Sequence, residues 1–129
     1  MKKIKINIAR WYQKVYIILI MLLKGKTAVI TGCNRGIGEK ILEVFSSNEA
    51  TVFACARDIN DKFISSIENL KKKFNNQITP IKCDLSDEKQ TKEAANNILS
   101  SNMNVDVLVN NAGTIDTALF QMTPIKKLK

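Results

Sequence analysis

An α/β fold with a parallel sheet wrapped by crossover helices is what this sequence predicts, on three observations. Short apolar runs alternate with longer segments whose apolar residues recur at helical spacing, the pattern of strands joined by helices. The first run, Ala28-Val29-Ile30, leads into a glycine-rich turn, Thr31-Gly32-Cys33-Asn34-Arg35-Gly36-Ile37-Gly38, that opens an amphipathic segment. At 129 residues the chain has room for one domain and little more.

In chain order, residues 27–31 form the first strand, and Ile37, Ile41, Leu42, Val44 and Phe45 line one face of a helix that ends near Asn48. Thr51 to Ala56 is the second strand. Ile59, Phe63, Ile64, Ile67, Leu70 and Phe74 then mark a second helix. Lys71, Lys72 and Lys73 fall in its last turn, where cations suit the dipole and a lysine run reads as a solvated end. Ile78 to Cys83 is the third strand. It contains Pro80, which a sheet edge tolerates because the missing N–H is not needed there.

Ser86 is the expected N-cap of a third helix, with Asp87 and Glu88 in the first turn and Thr91, Ala94, Ala95 and Ile98 facing the core. Val105 to Asn110 is the fourth strand, apolar enough to be covered on both faces. Thr123-Pro124 reads as the cap and first residue of a further helix. The whole is a Rossmann-like, doubly wound parallel sheet, incomplete, with about four strands in the order 3-2-1-4 and strand three at an edge.

Charge and composition exclude several function classes. The formal charge is +8, yet residues 1–26 carry seven Lys/Arg and no acid, and Lys126, Lys127 and Lys129 add three more. Residues 27–125 hold ten basic against twelve acidic side chains, so the core domain is slightly acidic. Without basic-aromatic interleaving, no nucleic-acid partner is expected. The absence of histidine excludes Ser-His-Asp and Cys-His catalysis and most zinc sites, and no metal is expected. Cys33, Cys55 and Cys83 are odd in number and far apart, with no C-x-x-C pair. They read as reduced, mostly packed thiols and fit the cytoplasm. Cys33, in the glycine turn, is the one that could be exposed, with nothing nearby to mark it as a nucleophile.

A strand, a glycine turn and a helix in that order form a phosphate cradle. Gly32 lets the chain turn sharply, while Gly36 and Gly38 remove side chains that would keep a pyrophosphate from the first N–H groups of the helix. A dinucleotide is the expected guest. The spacing differs by one residue from G-x-G-x-x-G, so the glycines alone are weak evidence.

The rest of the chain strengthens them: Asp84-Leu85 and then Asn110-Asn111-Ala112-Gly113 follow in order. From about Leu23 to about Pro124, with these motifs, the sequence resembles the short-chain dehydrogenase/reductase family. The resemblance implies that Gly32, Asn34, Arg35, Gly36, Ile37 and Gly38 belong to the cofactor-binding site. It also implies that the Asp84 carboxylate accepts from the adenine amine, beside a backbone contact from Leu85. The reading of Asp84 from the residues alone is an Asx-type turn ahead of Ser86. The backbone of Ala112 and Gly113 is expected close to the cofactor, with Asn110 structural and Asn111 at the cofactor's edge.

Arg57 follows the second strand, and Ala56-Arg57 stands where an acidic residue would bind the ribose 2′-hydroxyl in an NAD-selective domain. By resemblance, a basic residue at Arg57 and another at Arg35 favour NADP(H) over NAD(H), because two guanidinium groups embrace a 2′-phosphate. Asp58 weighs against that preference.

Two segments need separate readings. Residues 1–23 form a basic and apolar extension, and 24–129 a partial NAD(P)-binding domain. Val15 to Leu23 is an unbroken apolar run behind Lys2, Lys3, Lys5, Arg10 and Lys14, which imitates a signal peptide. The run is too short to span a bilayer and no small-residue cleavage site precedes Lys24. An interfacial anchor stays open. The favoured alternative is an upstream extension with Met21 as the natural start, since Leu23-Lys24-Gly25-Lys26-Thr27 resembles the family's usual opening.

The family's chemistry uses a serine, a Tyr-x-x-x-Lys pair and a further asparagine, in which tyrosine protonates the carbonyl oxygen and lysine lowers its pKa. The only tyrosines are Tyr12 and Tyr16, and neither has a lysine at the required spacing, so no catalytic residue is expected in this chain. The expectation is the cofactor-binding portion of such an enzyme, truncated or frameshifted and inactive by itself, whose full-length relatives move hydride between NADP(H) and a carbonyl/hydroxyl substrate. The alternatives are a non-catalytic nucleotide-binding module and a membrane-surface protein anchored by residues 1–26.

Overall fold

A computed structural model describes residues 22–113. Seven elements follow one another: β1 (Thr27–Thr31), α1 (Gly36–Ser47), β2 (Thr51–Ala56), α2 (Asp61–Phe74), β3 (Ile78–Lys82), α3 (Glu88–Ser100) and β4 (Val107–Val109). The four strands make one sheet in the order β3-β2-β1-β4. Every pairing is parallel, with Ala28 opposite Val52 and Val107, and Val52 opposite Ile78. The α/β class and the order 3-2-1-4 are therefore as the sequence predicts. β1 and β2 also have the expected bounds.

Helices cover both faces, which is why β1 and β2 are apolar at nearly every position. Ile30, Val52, Ala54 and Ala56 pack with Leu42 of α1 and with Phe63 and Ile67 of α2. Val29, Phe53 and Cys55 turn the other way, onto Ala94 and Ile98 of α3. Alternate residues of one strand thus enter two different cores, as a period of two requires. Pro80 lies in β3, opposite Ala54, and β3 is an edge strand.

Several expectations are corrected. The N-cap of α3 is Asp87, not Ser86: its Oδ1 accepts from the N–H of Lys89 at 2.9 Å and of Gln90 at 3.2 Å, and the Gln90 side chain returns a bond to Oδ2 at 2.9 Å. Asp87 is thus a side-chain N-cap whose carboxylate is also held by the Gln90 amide, while its own N–H donates to Asp84 O at 3.0 Å. Ser86 is drawn back to Asp84 instead. Strand β3 stops at Lys82, one residue short.

On α1, Ile37 is 76% exposed and Val44 48%, while the buried positions are Gly38, Leu42 and Ser46. The inward stripe runs through 38, 42 and 46 because Gly38 brings the helix against the turn, and that leaves Ile37 and Val44 on its flank. Ala95 is exposed for a similar reason: Ala94 and Ile98 alone point into the core from that turn of α3. Strand β4 keeps only three of its six expected residues, and Leu108 is 60% exposed. It pairs with β1 on one side and with nothing on the other among the described residues, and of its two faces the one carrying Leu108 lacks the expected cover while Val109 packs on the core of the other. Residues 1–21, with most of the apolar run and both tyrosines, and Thr123-Pro124 lie outside the described residues.

Candidate functional site

Parallel strands put all four carboxyl ends on one edge of the sheet, and the turns that leave them, with the first turn of α1, carry the candidate cofactor residues. The turn after β1 is locked to the turn after β4. Thr31 Oγ1 donates to Val109 O at 3.2 Å and accepts the N–H groups of Asn111 and Ala112, each at 3.0 Å. Asn111 Nδ2 donates to Thr31 O at 3.0 Å and to Gly32 O at 3.1 Å. Asn111 therefore does the structural work expected of Asn110, which is exposed.

The three glycines of the turn have different tasks. Gly32 has φ +66°, and a Cβ there would lie 2.8 Å from Ala112 Cα. A Cβ on Gly38 would lie 2.1 Å from Gly32 O and 2.5 Å from Asn111 Nδ2. The space in front of Gly38 is thus filled by the protein itself and not kept open for a ligand. Gly36 is the reverse case: with φ +58° it needs glycine for its backbone, and a Cβ would meet nothing within 4 Å.

The N-terminus of α1 beside Gly36 is open in a second sense. Asn60 caps α2 by accepting from Phe63 N–H, and Asp87 caps α3, but Arg35 at the start of α1 offers no side-chain bond to the first turn. Unsatisfied N–H groups at the positive end of a helix dipole form an anion site. The residues present therefore fit a phosphate group of a nucleotide. Arg35 is exposed, and Asn34 is half-buried within the same turn.

Around this turn the neighbouring strand ends supply charge. Arg57 Nε lies 3.4 Å from Asp58 Oδ2, both side chains being exposed. Asp84 Oδ1 accepts from Ser86 Oγ at 2.7 Å and from Ser86 N–H at 2.9 Å. These bonds hold its carboxyl below the ordinary value, with a smaller contribution from the charge of Arg57. The Asx turn is present, and Oδ2 makes no hydrogen bond among the described residues. Leu85 is exposed beside it; Ala112 and Gly113, also exposed, follow β4 at the other side of the sheet, next to Thr31 and Gly32.

Cys33 is fully buried, contrary to the exposure allowed for it. Its N–H and its Sγ both donate to Cys55 O at 3.3 Å, and burial pushes the thiol up to about 12. Cys55 is raised likewise, to about 12, by burial. Neither is a nucleophile at neutral pH. No group of three or more metal-ligating side chains occurs among the described residues. No helix among them is long and apolar enough to cross a membrane.

Two residues that matter to this geometry were not singled out from the sequence. Thr31 is legible in the sequence only as the end of β1 and the head of the glycine turn, not as the residue that ties that turn to β4. Asp106 accepts from Thr27 N–H at 2.9 Å and from Lys26 Nζ at 3.0 Å, pinning β4 to β1 at the opposite edge of the sheet. Both act across some 80 residues, a separation at which local patterns carry no signal.

The fold is that of a Rossmann-like, doubly wound α/β protein, a class whose ligand sites lie at this carboxyl edge of the sheet. Residues 26–129 match the family model described as short chain dehydrogenase, and the chain belongs to that family. Retinol dehydrogenase 11 of Mus musculus is 31% identical over 93 residues, which are 72% of this chain and 29% of that protein. The 3-oxoacyl-[acyl-carrier-protein] reductase FabG of Thermotoga maritima is 34% identical over 103 residues, 79% of this chain and 41% of that one.

Among solved structures, L-sorbose reductase from Gluconobacter frateurii, complexed with NADPH and L-sorbose, superposes with a TM-score of 0.72 at 31% identity. It covers 81% of this chain and 40% of its own. The Pseudomonas aeruginosa RhlG/NADP active-site complex gives 0.69 at 32%, over 83% and 41%. This chain spans less than half the length of each of these relatives.

Proposed function

We propose that this chain is the dinucleotide-binding portion of an oxidoreductase that moves hydride between NADP(H) and a carbonyl or hydroxyl substrate. The observation that carries the proposal is the uncapped N-terminus of α1, opened by Gly36 and set on the carboxyl edge of the sheet. In this reading the N–H groups of Gly36, Ile37 and Gly38, with Asn34 and Arg35, take the pyrophosphate. Gly32 shapes the turn. Asp84, through its unbonded Oδ2, accepts from the adenine amine, and Leu85 lies beside it. Asn111 holds the floor of the site while the backbone of Ala112 and Gly113 lines it.

Arg57 and Arg35 take the 2′-phosphate, which is the basis for preferring NADP(H). NADPH and NADP in the two structural relatives support the cofactor class. The bound nicotinamide supplies or accepts the hydride. No Tyr-x-x-x-Lys pair occurs in this sequence, so no residue of this chain is assigned the proton transfer. Three buried, unpaired thiols favour the cytoplasm.

Fluorescence titration tests the cofactor assignment. NADPH should bind more tightly than NADH, and Arg57→Ala should weaken NADPH by about tenfold while leaving NADH unchanged. Equal affinities, or a preference for NADH, would refute the NADP(H) assignment.

A further inference from the structure

Arg57 is in contact with one carboxylate, Asp58, and follows the strand next to the one that Asp84 follows. Arg57 follows β2 as Asp84 follows β3, and the two strand ends are adjacent, with Ala56 opposite Lys82 and Cys83 N–H donating to Ala56 O at 2.9 Å. Arg57 Nε meets Asp58 Oδ2 at 3.4 Å. The two acids are not equivalent. Asp84 is committed to its turn through Ser86, whereas the bond to Arg57 is the only one that the Asp58 carboxylate makes among the described residues. Asp58 has no part in starting α2, since Asn60 caps that helix.

We propose that Asp58 is a specificity-determining residue: it occupies the Arg57 guanidinium and repels a 2′-phosphate, and so sets the margin by which NADP(H) is bound over NAD(H). This rests on the site being a dinucleotide site with Arg57 at the ribose. A phosphate ester there carries a charge of about −1.5 to −2 and must share Arg57 with a carboxylate already in contact. The neutral 2′-hydroxyl of NAD(H) meets no such competitor.

Removing the charge therefore favours one cofactor selectively. Asp58→Asn should tighten NADPH by about two- to fivefold, the range of an exposed ion pair, and leave NADH unchanged. High salt should shrink the gain, because both charges are open to solvent. Because the competition runs through the guanidinium, the gain should vanish when Arg57 is absent.

The experiment is a titration of the full chain with NADPH and with NADH, at low and at high salt, for the wild type, Asp58→Asn, Asp58→Glu, Arg57→Ala and the double variant Arg57→Ala/Asp58→Asn. Thermal melts of each confirm folding. The expected result is a salt-sensitive, NADPH-only gain in Asp58→Asn, wild-type behaviour in Asp58→Glu and no gain in the double variant over Arg57→Ala. An unchanged or weakened NADPH affinity in Asp58→Asn overturns the proposal, as does an equal gain for NADH or a gain that survives without Arg57. A wild type that prefers NADPH beside any of those outcomes leaves the cofactor assignment standing. A wild type that binds neither dinucleotide removes the site itself, and the role of Asp58 with it.

Discussion

Replacing Gly38 by alanine should destabilise the fold although alanine is the better helix former. The added methyl would lie 2.1 Å from Gly32 O, 2.8 Å from Gly32 C and 2.5 Å from Asn111 Nδ2. Two of these are backbone atoms of the turn. The third is the amide that holds Thr31 O and Gly32 O. Overpacking of this kind costs about 1–3 kcal/mol, and each hydrogen bond lost from Asn111 adds about 1 kcal/mol. Helix propensity returns at most about 1 kcal/mol.

The net loss is about 2–4 kcal/mol, and at about 4–8 °C per kcal/mol for a domain of this size the melting temperature should fall by at least about 8 °C. Circular dichroism melts of Gly38→Ala, with Gly36→Ala as the comparison, measure it. Gly36→Ala meets open space and incurs only the left-handed backbone, about 1–2 kcal/mol. A Gly38→Ala melt at or above the wild-type temperature, or a smaller loss there than in Gly36→Ala, would refute the packing role.

Further outcomes follow from the buried thiols and the paired carboxylates. With thiols pushed up to about 12, Cys33 and Cys55 should stay unmodified by a disulfide reagent at about pH 8, where only roughly one in ten thousand is thiolate, and react at once in denaturant; rapid native-state labelling of either would contradict their burial. The Asp106 carboxyl is held below its ordinary value of 3.8, first by Thr27 N–H and then by Lys26. The unfolded chain therefore takes up this proton more readily than the folded one, so the stability Asp106 contributes is whole above 3.8 and is lost as pH falls through the lower folded value. Urea midpoints between about pH 6 and about pH 3 should drop less steeply in Asp106→Asn than in the wild type, and parallel slopes would remove Asp106 from the acid response.

What the sequence by itself determined is what near neighbours decide. β1 and β2 are apolar at nearly every position because helices cover both faces, so their bounds are legible from the pattern alone. The glycine turn between Thr31 and Gly38 announces a strand-to-helix phosphate site by its composition. A side-chain cap near Ser86-Asp87 is equally legible, but both residues suit the role, and only the pull of Asp84 on Ser86 separates them.

Tertiary structure decided the rest. Which asparagine of Asn110-Asn111 clasps the turn depends on β4 lying beside β1, which brings Asn111 to Thr31 and Gly32 across about 80 residues. That same approach makes Gly38 a packing glycine and leaves Gly36 as the open one. It also turns Ile37 and Val44 outward, because the stripe of α1 that faces the sheet is set by where Gly38 touches the turn. Periodicity tells which residues share a helix face; only contact with the neighbouring strand ends tells how far that face is rotated.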